Sequence, residues 1–156
     1  MNILVTGASG LIGAALVAEL ETAGHTVKRL VRSAPRPDKA EFLWDPVHGG
    51  IPAPILENLD AVVHLAGENI ADGRWTAEKK TRLVQSRVQS TRLISDTLLQ
   101  LVHPPKTFIS ASAIGYYGER GERVMREESA PGSGFLPELC RAWEEAAQPA
   151  AQRGIR

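Results

Sequence analysis

The stretch that decides the fold is Thr6-Gly7-Ala8-Ser9-Gly10-Leu11-Ile12-Gly13, which follows the apolar run Asn2–Val5. A short apolar run ending in Thr-Gly fits a parallel strand buried on both faces. Downstream, Leu11, Ile12, Ala15, Leu16 and Leu20 recur at helical spacing, and Gly24 supplies a stop. Thr26–Val31 reads as a second strand. Strand, glycine turn, helix and strand within about 30 residues make a βαβ unit, and its crossover is expected to be right-handed.

Within that unit Gly7, Gly10 and Gly13 have the spacing G-x-x-G-x-x-G. The first glycine permits a sharp turn, the second lets backbone approach a pyrophosphate, and the third lets helix pack on strand. The helix start then offers free N–H groups and partial positive charge to phosphate. A glycine triplet alone would mean only a tight turn. In this context it predicts a dinucleotide site.

Which dinucleotide depends on the end of the second strand, where an NAD site usually carries an acid for the ribose 2′-OH. No Asp or Glu lies between Glu21 and Asp38, whereas Lys28, Arg29, Arg32 and Arg36 do. Arg32, just past Val31, is placed to fork onto a 2′-phosphate. The expected cofactor is NADP, with NADPH preferred over NADH.

Further along, residues 33 to 59 are rich in Pro and Gly and read as loop. Within them, Glu41–Trp44 is expected as a short strand and Ile55–Leu59 as a helical turn. Asp60–Leu65 is the next buried strand, closed by Ala66-Gly67. Thr76 is a candidate N-cap for one long helix with the apolar stripe Val84, Val88, Thr91, Ile94, Leu98 and Leu101, ended by Pro104-Pro105. Thr107–Ser110 is a further strand, residues 119–134 are polar surface loop, and a last helix admits Pro137 in its first turn and runs to about Gln148 or beyond. Alternating apolar strands and helices predict a doubly wound parallel α/β sheet.

Composition narrows the function classes. Basic and acidic residues balance at 18 each, so no polyanion-binding surface is expected, and a nucleic-acid partner is disfavoured. One cysteine, Cys140, gives no disulfide framework, and the four histidines lack metal-ligand spacing, so no metal site is expected. No apolar run has membrane-spanning length, and strand residues follow Met1 almost directly. The expected setting is cytoplasmic, and the expected partner is a small-molecule substrate. Gln152-Arg153-Gly154-Ile155-Arg156 breaks off after a helix stop and the first residues of another strand. That pattern is expected of the N-terminal part of a longer protein, an incomplete cofactor-binding domain truncated before its last strands and substrate region.

Together, TGASGLIG, DAVVHLAGENI, RWTAEKK, SRVQSTRLI and SASAIGYYG resemble the short-chain dehydrogenase/reductase superfamily. More narrowly they resemble an atypical extended branch, NAD-dependent epimerase/dehydratase-like, of the SDR39U type. The resemblance covers nearly the whole chain and implies a Rossmann fold and an NADP(H)-dependent oxidoreductase or epimerase-like activity. It assigns the phosphate loop to Gly7, Ser9, Gly10, Leu11, Ile12 and Gly13, and the adenosine ribose to Arg32. It sets Leu65, Ala66 and Gly67 along the adenine and ribose, and Ser110 to Ser112 near the nicotinamide. Where the superfamily usually has Asn-Val, this chain has Arg87-Val88, which implies that Arg87 touches the cofactor.

The superfamily mechanism uses Tyr-x-x-x-Lys on one helix face, the lysine lowering the tyrosine pKa. No such pair occurs here. Aligning Glu144 with the family's helix glutamate puts Leu136 at the tyrosine position and Cys140 at the lysine position. The candidates for the missing chemistry are Ser112, to polarise a carbonyl, with Tyr116 or Tyr117 as proton donor. Spacing from the serine favours Tyr116, while the neighbouring Gly118 favours Tyr117. Glu68, after the Leu-Ala-Gly turn, is another possibility, whereas Cys140 and Trp143 fit core packing better. A non-catalytic NADP(H) sensor or scaffold remains the alternative to an enzyme.

Overall fold

A strand buried on both faces must be apolar nearly throughout, and β1 (Asn2–Thr6) meets that condition, with Ile3, Leu4, Val5 and Thr6 all buried. In the computed structural model, which describes all 156 residues, β1 is the centre of a five-stranded sheet. The others are β2 (Thr26–Val31), β3 (Glu41–Leu43), β4 (Ala61–His64) and β5 (Thr107–Ser110), in the order β3-β2-β1-β4-β5. Every pairing is parallel, with Ile3 beside Val27 on one side and Ala61 on the other. The chain moves outward from β1 to β3, then returns to start β4 on the opposite side of β1. The loops leaving β1 and β4 therefore diverge at a switch point, where open α/β sheets form their crevice.

Alternate side chains feed two layers. Ile3, Val5, Val27, Ala61 and Val63 meet Val17, Leu16 and Leu20 of α1 (Leu11–Thr22). On the other face Leu4, Leu30 and Val62 join Trp44, Leu56, Ile94, Leu98 and Ala150. That layer is covered by α3 (Ser90–Gln100) and α4 (Phe135–Gln152). Helices thus lie on both faces, and the architecture is the expected doubly wound one.

The single long helix expected after Thr76 is two helices. Thr76 does cap it, its Oγ1 accepting from the Lys79 amide at 3.2 Å. But α2 (Ala77–Val84) passes into a π-helical turn, Gln85–Gln89, before α3 begins. The wider turn rotates the buried face, so Leu83 is fully buried while Val84 and Val88 are half-buried. A periodic apolar stripe tolerates such an insertion, so the sequence pattern conceals it.

Smaller differences concern boundaries. The turn expected at Ile55–Leu59 is a 3₁₀ turn at Ala53–Leu56, and β3 stops at Leu43. Pro137 does sit buried in the first turn of α4, which continues through Pro149 to Gln152. Proline removes one helical donor and displaces its neighbours. Here Ser95 Oγ, from α3, donates to the Ala147 carbonyl at 3.2 Å and accepts from the Ala150 amide at 2.9 Å. After α4, Arg156 donates to the Lys106 carbonyl and accepts from the Phe108 amide, so the chain runs beside β5 there. No helix is long and apolar enough to cross a membrane.

Candidate functional site

The C-terminal edge of the sheet carries a cleft of about 710 Å³ lined by Gly7 to Gly10, Leu30 to Ala34, Arg36, Glu41, Trp44 and Leu65 to Gly67. Its floor is the glycine loop, where the three glycines differ in what they permit. Gly7 has φ +68°, and a Cβ there would lie 2.7 Å from the Leu65 carbonyl carbon. A Cβ on Gly13 would lie 2.1 Å from the Gly7 carbonyl oxygen. These two let β1, α1 and the turn after β4 pack together. Gly10 is unlike them: its φ is −76°, and it is exposed. The space it leaves is on the cleft side, where a ligand backbone would approach. Gly10 is also the N-cap of α1, with no side-chain cap and no acid in the first turn. The leading amides of Leu11, Ile12 and Gly13 are thus left to a ligand or to water, while the Leu11 and Ile12 side chains point outward, 93% and 69% exposed.

Of the four cations on and after β2, two, Arg32 and Arg36, line the cleft, and the four have different partners. Lys28 donates to the Ile55 carbonyl at 3.0 Å. Arg29 is held by Glu21 at 2.5 Å and by the Lys39 carbonyl. Arg36 lines the cleft, but its Nε and Nη2 are taken by Glu41. Arg32 alone has neither an ion pair nor a hydrogen bond, and it is exposed on the cleft wall. Glu41 places a carboxylate in the cleft that sequence reasoning missed. Its hydrogen bonds to Arg36 hold it down at about 2, and both oxygens are occupied by the Arg36 side chain and amide. It is not free to receive a ribose hydroxyl.

The turn after β4 is fixed from below. Thr6 Oγ1 accepts from the amides of Leu65 and Ala66 at 3.2 and 3.1 Å. Its own proton therefore goes to His64 Nδ1, 2.6 Å away. That leaves the His64 proton on Nε2, which donates to Ser90 Oγ at 3.1 Å. Ser90 in turn donates to the Ser86 carbonyl at 2.7 Å, inside the π turn. This turn carries Arg87 over Gly67, with the guanidinium carbon 3.5 Å from where a Gly67 Cβ would be. Arg87 also lies over the Trp143 ring at 5.2 Å. It has no carboxylate partner within ion-pair distance, and burial lowers its pKa.

A second pocket, of about 460 Å³, opens where β5 ends. It gathers Ser112, Tyr116 and Tyr117 as expected, and adds Glu127 and Glu144. Ser112 Oγ donates to Glu144 Oε1 at 2.5 Å. The tyrosine rings meet edge to face at 5.2 Å. Burial, Glu127, Tyr116 and Glu144 push the Tyr117 hydroxyl above its ordinary pKa. Ser110 ends β5 without lining either pocket.

The remaining candidates have other occupations. Glu68 Oε1 accepts from buried Lys79 at 3.1 Å and from Arg82 at 3.3 Å, and Lys79 foremost holds its carboxyl below the usual range. It anchors the loop after β4 rather than exchanging protons. Cys140 is buried, and burial pushes its thiol up. Trp143 is core, its Nε1 donating to Thr91 Oγ1 at 2.9 Å. Leu136 and Cys140, at the positions of the usual dyad, pack around Gly115.

The switch-point cleft, bare helix start and parallel sheet define a Rossmann-type α/β protein. The chain belongs to the NAD dependent epimerase/dehydratase family, whose model matches residues 3–137. Among solved structures it is similar to a nucleoside-diphosphate sugar epimerase from Corynebacterium glutamicum. That match has 38% identity and TM-score 0.85, covering 100% of this chain and 32% of that one. Human epimerase family protein SDR39U1, solved with NADPH, matches at 31% identity and TM-score 0.81, over 94% of this chain and 48% of its own. MoeE5, in complex with UDP-glucose and NAD, matches at 27% identity and TM-score 0.79, over 99% and 50%. The chain spans about half the length of the curated relatives it matches. Epimerase family protein Mb2239 of Mycobacterium bovis, for example, is 44% identical over 99% of this chain and 50% of the relative.

Proposed function

We propose that this chain is the cofactor-binding part of an NADP(H)-dependent oxidoreductase of epimerase-like type. The observation that carries the reading is the free Arg32 guanidinium on a cleft floored by the uncapped start of α1. The loop Gly7–Gly10 and the leading amides of α1 would hold the pyrophosphate. Arg32, with Ser33 beside it, would receive the 2′-phosphate, and Leu65 to Gly67 would run along the ribose. Arg87, half-buried and unpaired over Gly67, would meet cofactor charge at the opposite end. The bound nicotinamide would supply or accept hydride. Human SDR39U1 with NADPH supports the phosphorylated cofactor, and MoeE5 with NAD supports the nicotinamide class in general.

Fluorescence titration of the full-length protein tests this reading. NADPH is expected to bind at least tenfold more tightly than NADH, since each 1.4 kcal/mol is a factor of ten. Equal affinities would remove the NADP assignment.

The absent Tyr-x-x-x-Lys pair, replaced by packed Leu136 and Cys140, favours a second reading. In it the protein binds NADP(H) as a sensor or scaffold without turnover. Tight NADPH binding without NADPH consumption, across aldehydes, ketones and nucleotide sugars, would select it.

A further inference from the structure

The second pocket contains a pairing that neither the cofactor cleft nor the tyrosines account for. Ser112 leaves the turn after β5, and Glu144 comes from the third turn of α4, 32 residues later, yet their side chains meet at 2.5 Å. Both residues are exposed on the pocket, so a bound molecule can reach the serine hydroxyl. The groups facing Glu144 are Tyr116 and Tyr117 from the 3₁₀ turn Ile114–Tyr117 and Glu127 from the loop at 118–134. Cys140 lies one turn earlier on α4, with Arg87 beyond it. Glu128 adds negative charge beside Tyr117, and Arg141, three residues before Glu144 on α4, is exposed and makes no ion pair with it. No lysine or arginine lies within ion-pair distance of Glu144. Its carboxylate is therefore not engaged by a cation as Glu41, Glu68 and Glu21 are. Tyr117 is poorly suited to the base role. Burial and Glu127 push it toward its protonated form, and the neighbouring Arg120 guanidinium is engaged with the carbonyls of Tyr117, Ala130 and Pro131 rather than with the hydroxyl.

We propose that Ser112 and Glu144 are the proton-transfer pair of this protein, the Glu144 carboxylate acting through the Ser112 hydroxyl on the hydroxyl group of an alcohol substrate. This rests on the oxidoreductase reading above. The substrate O–H bond breaks as its proton passes to Ser112 Oγ. The Ser112 O–H bond breaks as that proton passes to Glu144 Oε1. The electron pair left on the substrate oxygen forms the carbonyl, and the hydride leaving carbon is taken by an oxidised nicotinamide dinucleotide. Carbonyl reduction runs the same proton path backward. Ser112 is the residue that touches substrate, and Glu144 is the terminal proton acceptor.

The test uses the full-length protein and its Glu144→Gln, Glu144→Asp and Ser112→Ala variants. NADPH affinity is followed by fluorescence, and NADP⁺ reduction is followed with benzyl alcohol, 1-phenylethanol and UDP-glucose as probes. Glu144→Gln and Ser112→Ala are each expected to lower kcat roughly 100-fold or more, with NADPH affinity within about twofold. Combining them should cost no more than either alone, because the two act as one unit. Glu144→Asp should recover much of the loss. A readout independent of turnover is the ¹³C NMR resonance of the Glu144 carboxyl, which Ser112→Ala should move because it removes the hydrogen bond to Oε1.

An unmoved Glu144 carboxyl resonance in Ser112→Ala, or Glu144→Gln with kcat within about threefold of wild type, overturns the pair and leaves the oxidoreductase reading standing. Wild-type protein that binds NADPH but reduces no NADP⁺ with any of the three probes overturns both.

Discussion

His64 Nδ1 lies 2.6 Å from Thr6 Oγ1, and the imidazole between Thr6 and Ser90 is fully buried. Thr6 needs its own proton there, because its oxygen already accepts two amides of the Leu65-Ala66 turn. His64 must therefore be neutral in the fold, and burial lowers its pKa to about 4. Unfolded, it would titrate near ~6.5. Between those values the unfolded chain binds the extra proton, so stability falls as pH falls from about 6.5 to about 4 and then levels off for this group. The loss is roughly 3 kcal/mol over the window. Urea unfolding at pH 6.5, 5.5 and 4.5 should show this slope in wild type and its absence in His64→Asn, whatever the variant's absolute stability. Parallel pH profiles for the two proteins would mean that His64 is not the titrating group.

On the proposed reading, cofactor preference turns on Arg32. Replacing it with Asp removes the one cleft cation without a protein partner, and Asp supplies the carboxylate that a ribose 2′-OH prefers. A charge-assisted contact is worth about 1.5–3 kcal/mol, so NADPH affinity should drop by roughly tenfold to a hundredfold and NADH affinity should rise. The same change at Arg36 would be a different experiment, because Glu41 would lose its ion-pair partner. Unaltered NADPH affinity in Arg32→Asp, measured by calorimetry, would place the 2′-phosphate elsewhere.

What could be read from the sequence was mostly what is local. Gly7 and Gly13 show their roles in spacing alone, because the turn and the helix–strand contact involve neighbours in the chain. The strands were legible because burial on both faces leaves an unbroken apolar run. Contacts across long separations were not. That Arg29 is taken by Glu21 and Arg36 by Glu41, leaving Arg32 free, depends on how the βαβ unit closes on β3. Glu68 looks available until Lys79 folds under it. Ser112 was legible as a candidate, but its contact with Glu144 exists only because α4 returns across the end of β5. The π turn was hidden for another reason. One extra residue shifts an apolar stripe by less than its width, so Arg87 could be singled out but its place over Gly67 could not.

Ser95 is a structural test case outside the site. It satisfies the Ala147 carbonyl and the Ala150 amide where Pro149 interrupts the hydrogen bonding of α4, with Ser95 and Ala150 buried and Ala147 half-buried. Ser95→Ala leaves that donor and acceptor without their partner, at a cost of about 1–3 kcal/mol. A variant Pro149→Ala should lessen the penalty, because a regular helix would pair the Ala150 amide internally. Denaturant midpoints of the two single variants and the double variant would show this as non-additivity. Strict additivity would separate Ser95 from the proline.

The three glycines of the loop should separate ligand binding from folding. A Cβ on Gly13 would sit 2.1 Å from the Gly7 carbonyl oxygen, an overlap that only backbone movement relieves. Gly13→Ala is therefore expected to lower stability by several kcal/mol or to prevent folding. Gly10 is different. Its φ of −76° suits any residue, and the nearest atom to an added Cβ is the Gly7 carbonyl oxygen at 3.3 Å. Gly10→Val should keep the fold, at a modest cost from that tight contact, because its methyl groups point into the cleft. There they occupy the space where a pyrophosphate would meet the amides of Leu11 and Ile12, and NADPH binding should be lost. Far-UV circular dichroism paired with an NADPH titration distinguishes the two outcomes. Native spectra with retained tight binding in Gly10→Val would reduce the loop to a turn and put the cofactor site elsewhere on the sheet edge.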